Sequence, residues 1–460
     1  MADHARDPVW YVAHGWLPLV LPADARRIRV GPLGVRAMCR SAGVALVEEG
    51  ADAEIAAVGE LRGDTDVVMV PLDAAQAEGG SRPVRLVRRA RGFADVRAQA
   101  AFAQRRLGEL GYAHVDVLWW DLGQSVRVTG MPPPDGRRLA ERLPQRAVVV
   151  GSRAARRPTV LEAALRQARE RSGLALAPES AVMRTTPLIT TREAVVRVAV
   201  GAARAEIDAR VAALAAIDAA RPDARVTERI PAALGRGEYG MAEWFLEQRL
   251  PGSNPRSLTD ALLAESIDFL VALHSCDGEP RTSAAHQGDL VAATCGPEDA
   301  TAVRRLAGWV EEVLADVPRG LAHGDFTLRN LLTQGERLVG VVDWDSSGPG
   351  RFPLIDLLHL RLDAKRLTRP DRLGHAIVED LLPWAAAGGD ATARTYCRRL
   401  GFDATPARLL ALVAAYWLDR AAYQAVRFPA RAQRPAWLRS NVSETLPPLL
   451  RAGDATPRTA

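Results

Sequence analysis

Two polar clusters ten residues apart constrain this chain more than any other feature: "LAHGDFTLRN" at 321–330 and "VVDWD" at 341–345. Asp325 and Asn330 stand five residues apart, too far for one tight turn and awkward for one face of a helix. The spacing predicts an irregular loop whose two polar tips meet at one point. Apolar "VPRGLA" before the loop and "NLLT" after it anchor both ends, and "ERLVGVVDW" reads as a hairpin strand delivering Asp343 to its tip. Phosphoryl transfer needs an acceptor for the proton of an incoming hydroxyl, oxygen ligands for Mg²⁺ and cations on the phosphates. An Asp, an Asn and a second Asp supply the first two, since Mg²⁺ prefers a few hard oxygen ligands beside phosphate oxygens.

The pattern His-Gly-Asp, four residues, Asn, then a strand ending in Asp-Trp closely resembles the aminoglycoside phosphotransferase and choline kinase-like family, which shares its fold with the protein kinases. The likeness continues through "GPGRFPLIDLLHL" (348–360), and "FLVALHS" (269–275) matches a family helix ending in Leu-His; in all it covers about 175–430. The resemblance implies a bilobal α+β kinase-like domain, with ATP and Mg²⁺ as cofactors. Asp325 would orient and deprotonate the acceptor hydroxyl, and Asn330 and Asp343 would hold Mg²⁺ against the ATP phosphates. Asp356 would brace the catalytic loop, and His323 would fix it by hydrogen bonding. Asp345 stays open between a ligand and a repelling charge.

In such a fold a cation on the third small-lobe strand meets the phosphates and pairs with a Glu on the next helix. Arg197 in "AVVRVAV" and Glu206 in "ARAEIDA" take these places, because Lys365 is the only lysine in the chain. The alternative for Arg197 is a charge facing solvent at a strand edge. No glycine occurs between Ala175 and Val195, so the loop over the nucleotide departs from the Gly-rich cradle of protein kinases. ATP is the expected donor and GTP remains open. The hinge is expected in "WFLEQRLPG", with backbone groups of Phe245, Leu246 and Glu247 meeting the purine.

Ahead of this domain, "RIRVG" (27–31), "VRAMCRSAG", "DVVMVPL" (66–72), "FADVRAQAAFAQRRLGELGY" (93–112), "HVDVLWW" (114–120) and "RAVVVGS" (146–152) alternate strand and helix character. They predict an α/β, Rossmann-like layer with a mostly parallel sheet. "MPPPDG" (131–136) reads as a turn. "GELGYAHVDVLWW" weakly resembles the turn and late strand of class I methyltransferases. Pro32 stiffens the turn between Gly31 and Gly34, and no acidic residue precedes it; Glu48 or Glu49 is the nearest candidate for a ribose hydroxyl. The expectation is a degenerate methyltransferase-like domain, with a bifunctional methyltransferase and kinase as the rival.

The division expected is 1–156 for that domain, 157–174 for a helical linker, 175–252 for the small lobe, 253–450 for a helical large lobe and 451–460 for a tail. "TVLEAALRQARERSG" should close on Gly173 as a C-cap. "ARAEIDARVAALAAI" places Ile207, Val211, Leu214 and Ile217 at helical spacing, and Ser257 is the expected N-cap of the helix over 257–275.

The acceptor is less specified. Polycationic aminoglycosides call for acidic walls, whereas "YWLDRAAYQAVRFPARAQRPAWLRS" (416–440) is rich in Arg and aromatics, which suit carboxylates, phosphates, sugars or nucleosides. A small-molecule hydroxyl is expected; a peptide or protein hydroxyl and a non-catalytic pseudokinase are the alternatives. The net charge of +5 comes from arginines spread along the chain rather than from one basic stripe, which speaks against nucleic acid as a partner. The four cysteines show no CxxC spacing, no apolar run reaches membrane-spanning length, and a cytoplasmic protein with reduced thiols is expected.

Overall fold

The computed structural model describes residues 19–31, 36, 39–40, 45–57, 60–73, 82–120, 126–127, 146–154, 158–182, 186–220, 222–276, 283–368 and 372–454. The turn at 131–136 and most of the helix expected near 35–43 lie outside these residues. The chain divides into two compact units, Met1–Asp208 with Ala232–Arg249, and Ala209–Pro231 with Leu250–Ala460.

The first unit holds two sheets. Strands β1 (Arg27–Val30), β2 (Ala45–Leu46), β3 (Ala53–Ile55), β4 (Val67–Asp73), β5 (His114–Trp120), β6 (Val126–Arg127) and β7 (Arg146–Ser152) form one in the order β2-β1-β3-β4-β7-β5-β6. β2, β1, β3 and β4 are parallel neighbours. β7 runs antiparallel between β4 and β5, with β6 antiparallel at the edge. The sheet is therefore mixed, parallel on one side only. β4 is apolar from Val67 to Leu72, because both faces of this stretch are covered. On one face, helix α1 (Arg82–Glu109) presents Val96, Ala100, Ala103 and Leu107 at helical spacing to Val68, Val70 and Val149.

On the other face, Ile28, Ile55, Met69 and Val148 join a core that also contains Val160, Leu161 and Ala164 of helix α2 (Val160–Ser172). That core continues into Val196, Val198 and Trp244 of the second sheet. α2 is thus no loose connector. Thr159 and Glu162 form a reciprocal capping box at its start, and Gly173, at φ 71°, ends it as expected. The second sheet is antiparallel: β8 (Ser180–Val182), β9 (Leu188–Thr190), β10 (Ala194–Val200), β11 (Ala233–Tyr239) and β12 (Ala242–Gln248), ordered β11-β12-β10-β9-β8. Trp244 Nε1 donates to Gln167 Oε1 at 2.6 Å, tying β12 to α2.

Helix α3 (Arg204–Ala220) follows β10. Its buried face is Ile207, Arg210, Ala213 and Ile217, while Val211 and Leu214 are half-buried. The apolar spacing thus finds the helix but misplaces the middle of its buried stripe, because a guanidinium occupies it.

The second unit is mainly helical, with α4 (Asp260–His274), α5 (Ala284–Ala292), α6 (Pro297–Val313), α7 (Ile355–Ala364) and α8 (Pro406–Arg427) around one large apolar core. The N-cap of α4 is Thr259 rather than Ser257: its hydroxyl accepts from Leu262 N–H at 3.2 Å, the three-residue reach that capping requires. Two short strand pairs complete the unit, β13 (Gly320–Ala322) with β16 (Gly348–Arg351), and β14 (Leu331–Gln334) with β15 (Arg337–Val341). All four cysteines are free thiols, and burial pushes Cys39 and Cys397 up to about 12. Among the described residues no helix is long and apolar enough to cross a membrane.

Candidate active site

The loop after β13 is fixed from below by one carboxylate. Asp356, at the start of α7 and wholly buried, accepts from His323 N–H at 2.7 Å and from Gly324 N–H at 2.8 Å. His274 Nε2 donates to the same side chain at 3.0 Å, while its Nδ1 is hydrogen-bonded to the Tyr396 hydroxyl. Burial alone would raise the Asp356 pKa, but the hydrogen bond and charge of His274 and the backbone donors outweigh it and hold the group well below the usual carboxylate range. Asp356 thus ties two backbone N–H groups of the loop to the start of α7.

His323 works at the next level of the loop. Its Nδ1 accepts from Asp325 N–H at 3.2 Å, and its Nε2 donates to Val342 O at 3.1 Å. Burial lowers its pKa, which keeps the ring neutral with the tautomer these two bonds require. Trp344 and Phe326 flank it edge-on, at 4.5 and 5.8 Å between ring centroids. Gly324 lies at φ 80°, where a β-carbon would fall 2.2 Å from Ser346 O, so only glycine fits.

Asp325 and Asn330 do meet. Asn330 Nδ2 donates to Asp325 Oδ2 at 3.0 Å and to Asp325 O at 2.8 Å, within a short 3₁₀ turn at Leu328–Asn330. Asp363 Oδ2 accepts from Leu328 N–H at 2.9 Å, pinning the start of that turn. The other oxygen of Asp325 has a partner the motif did not announce: His359 Nε2 donates to Oδ1 at 3.0 Å, and His359 Nδ1 accepts from Tyr416 Oη at 2.7 Å. Burial works to raise the Asp325 pKa, but His359, Arg420 and His323 more than offset it and keep the carboxyl below its ordinary value. His359 lies one helical turn after Asp356 on α7. That i, i+3 spacing in "IDLLH" is the signal from which it could have been found.

Asp343 lies at the end of the hairpin strand that precedes it in sequence. The turn of the β14–β15 hairpin is at Gly335 and Glu336, and Asp343 lies at the opposite end, just past β15, in the left-handed region at φ 72°, ψ 56°. Asp tolerates that conformation better than most residues. Its Oδ1 is 3.4 Å from Nη1 of Arg210, the buried guanidinium of α3. Asp345 is engaged by Arg427, with Nη2 3.5 Å from Oδ2. The donors fit a hard divalent cation in part. The Asn330 Nδ2 hydrogens are both used on Asp325, which leaves Oδ1 as a ligand, and Asp343 adds a carboxylate. Among the described residues no three His, Cys, Asp or Glu side chains gather as a metal cluster, so Mg²⁺ would need phosphate and water for its other ligands.

In the first unit, Arg197 sits mid-strand in β10 at 8% exposure, which excludes a solvent-facing edge charge. Its Nε lies 3.6 Å from Glu247 Oε1, and Glu206 Oε2 accepts from Thr186 Oγ1 at 3.4 Å. Phe245, Leu246 and Glu247 do not offer their backbone as expected. β12 is paired with β10 on one side and β11 on the other through these three residues, so their N–H and C=O groups lie within the ladders.

The family model for the phosphotransferase enzyme family matches residues 179–391. No curated protein matches the chain. Similar solved structures include a thermostable mutant of aminoglycoside phosphotransferase APH(4)-Ia with ADP and hygromycin B, at 16% identity, covering 63% of this chain and 99% of that one, TM-score 0.39. ADP-bound APH(2'')-Ib has 15% identity over 64% of this chain and 99% of its own, TM-score 0.40. The GDP complex of aminoglycoside 2'-phosphotransferase-IIIa has 16% identity over 58% and 89%, TM-score 0.36. The braced His-Gly-Asp loop lies inside the span, residues 179–391, that is similar to the phosphotransferase enzyme family.

Proposed function

We propose that the chain transfers the γ-phosphoryl group of ATP to a hydroxyl of a small molecule. The observation that carries this reading is Asp325, a half-buried carboxylate held on one oxygen by His359 and on the other by Asn330. So fixed, it can align a hydroxyl without reorganising. Because its pKa is lowered, it is a weak base; it orients the nucleophile and takes the proton late, as a loose transition state allows. Mg²⁺, when bound, would neutralise charge developing on the phosphates, with Asn330 Oδ1 and Asp343 as its protein ligands. Arg197 is proposed as the phosphate cation, its guanidinium oriented by Glu247. The base would be met by main chain beyond β12 rather than by Phe245–Glu247.

Asp325→Asn keeps the shape and the Asn330 contact but removes the base. Phosphoryl transfer should fall by about 100-fold or more with nucleotide affinity retained. Steady-state turnover and nucleotide titration check this, and wild-type turnover would refute the assignment.

For the N-terminal layer we infer a methyltransferase-like sheet without a working cofactor site. Antiparallel β7 between β4 and β5 supports the first part. The second rests on filled space. Arg29 is paired with Glu54 and Asp64, the Glu60 carboxylate lies 2.6 Å from where a β-carbon on Gly31 would be, and Glu48 is engaged by Arg36.

A further inference from the structure

Beside the catalytic loop lies a wall of arginines. Three arginines of the second unit, Arg351, Arg420 and Arg427, stand against the loop and the segment that follows it. Arg351 ends β16, whose partner β13 leads directly into the His-Gly-Asp turn, and a β-carbon on Gly324 would fall 2.7 Å from Arg351 Nη1. Arg420, on α8, lies one turn beyond Tyr416, the residue that orients His359, and its charge acts on Asp325. Arg427, two turns further along α8, reaches Asp345. Tyr423 lies between them on the same face, with the Arg420 guanidinium 4.9 Å from its ring centroid.

The carboxylates here are outnumbered. Asp419 serves two arginines at once: Arg420 donates through Nε and Nη2 at 3.1 and 2.8 Å, and Arg351 Nη1 lies 3.4 Å away. Gln287 Nε2 also donates to Asp419, at 3.0 Å, so this carboxylate has little capacity left for another cation. Asp345 is the second acid and already has Arg427. Three guanidiniums against two carboxylates leave one positive charge on this wall, before Asp325 is counted. Arg351 Nη1 is buried and makes no hydrogen bond, although buried guanidinium donors ordinarily find one. A polycation approaching Asp325 would find no unengaged acid on this wall to receive its further charges, whereas an oxyanion would find planar, charged donors and an aromatic face.

Resting on the kinase reading above, we propose that the acceptor is an anionic alcohol, whose carboxylate or phosphate is held by Arg351, Arg420 and Arg427 while its hydroxyl faces Asp325. Carboxylate and phosphate share the chemistry that this wall recognises. The phosphates of the nucleotide share it too, so the test must separate acceptor from donor.

The full chain with Mg-ATP is assayed with glycerol 3-phosphate, D-glycerate, glycerol, 2-amino-1,3-propanediol and kanamycin, and binding of the two anionic probes to the Mg-ADP complex is measured by calorimetry. Both anions should bind. At least one should accept phosphate with kcat/KM about tenfold or more above neutral glycerol, a margin set by one charge-assisted contact of about 1.4 kcal/mol or more. The better of the two anions identifies the oxyanion. Arg351→Gln and the more exposed Arg427→Gln should each raise KM for that acceptor about tenfold with little change in KM for ATP; circular dichroism verifies that each variant is folded. Equal or better transfer to glycerol, the amine or kanamycin overturns the proposal and leaves the kinase reading intact. So does a rise confined to KM for ATP, which would assign these arginines to the nucleotide. Absence of anion binding overturns it whatever the turnover. Loss of the kinase reading registers separately, as turnover that does not depend on Asp325.

Discussion

At the scale of single residues, two carboxylates, Asp325 and Asp356, 31 positions apart in sequence, carry different work through the same device, a histidine backed by a tyrosine hydroxyl. Asp356 with His274 and Tyr396 holds the backbone of the loop, and Asp325 with His359 and Tyr416 holds the reacting carboxylate. Asp356→Asn would replace an acceptor with a donor facing buried N–H groups, at a cost of about 3 kcal/mol in denaturant unfolding. The folded-state pKa of Asp356 is depressed, so between it and the unfolded value near ~3.9 the unfolded chain binds the extra proton. The stability that Asp356 contributes is therefore complete above about pH 4 and declines as pH falls towards its folded pKa. Unfolding curves across the acid range should show this decline in the wild type and a flatter one in Asp356→Asn. Asp343 poses a different question, since Arg210 already shares its carboxylate. Asp343→Ala should weaken Mg-nucleotide binding much more than binding of the metal-free nucleotide. Calorimetry with and without Mg²⁺ measures both, and equal losses would remove Asp343 from the metal.

At the scale of elements, α2 and α8 are helices whose importance lies in what they join. α2 shares its core with the seven-stranded sheet and the small antiparallel sheet alike, and its start depends on a local bond pair: Glu162 N–H to Thr159 Oγ1 at 3.2 Å and Thr159 N–H to Glu162 Oε2 at 2.8 Å. Thr159→Ala should destabilise the first unit by about 1 kcal/mol without altering turnover of the folded enzyme. Chemical denaturation read by the fluorescence of Trp244, which is buried against this helix, checks it. α8 is buried from Leu409 through Ala422 and still carries Asp419 and Arg420 in that stretch. A helix interior spends polar side chains only where they are satisfied, and here they are satisfied by one another.

At the scale of the whole molecule, the N-terminal layer and the small antiparallel sheet belong to one compact unit with a common apolar core. Tests of the N-terminal layer therefore use the full chain. S-adenosylmethionine should not bind at millimolar concentration, because the Glu60 carboxylate occupies the space beside Gly31 and Arg29 is committed to Glu54 and Asp64. Equilibrium dialysis decides it, and micromolar affinity coupled to methyl transfer would restore the bifunctional reading.

The sequence by itself determined what depends on neighbours along the chain: the loop at 321–330 and the meeting of Asp325 with Asn330, the strands at 114–120 and 146–152, and the Gly173 cap. Spacing, apolar anchoring and turn chemistry are local quantities, and each acted locally. Tertiary structure decided what depends on residues far apart. It set the antiparallel β7 between two strands earlier in the chain and the double-sided ladder that encloses Phe245–Glu247. It buried Arg210 where the helical pattern read an apolar stripe, and it brought His359, Tyr416 and Arg420 to the neighbourhood of Asp325. A charged side chain at an apolar position carries no sign in sequence of the partner that permits its burial, because that partner is chosen by packing in three dimensions.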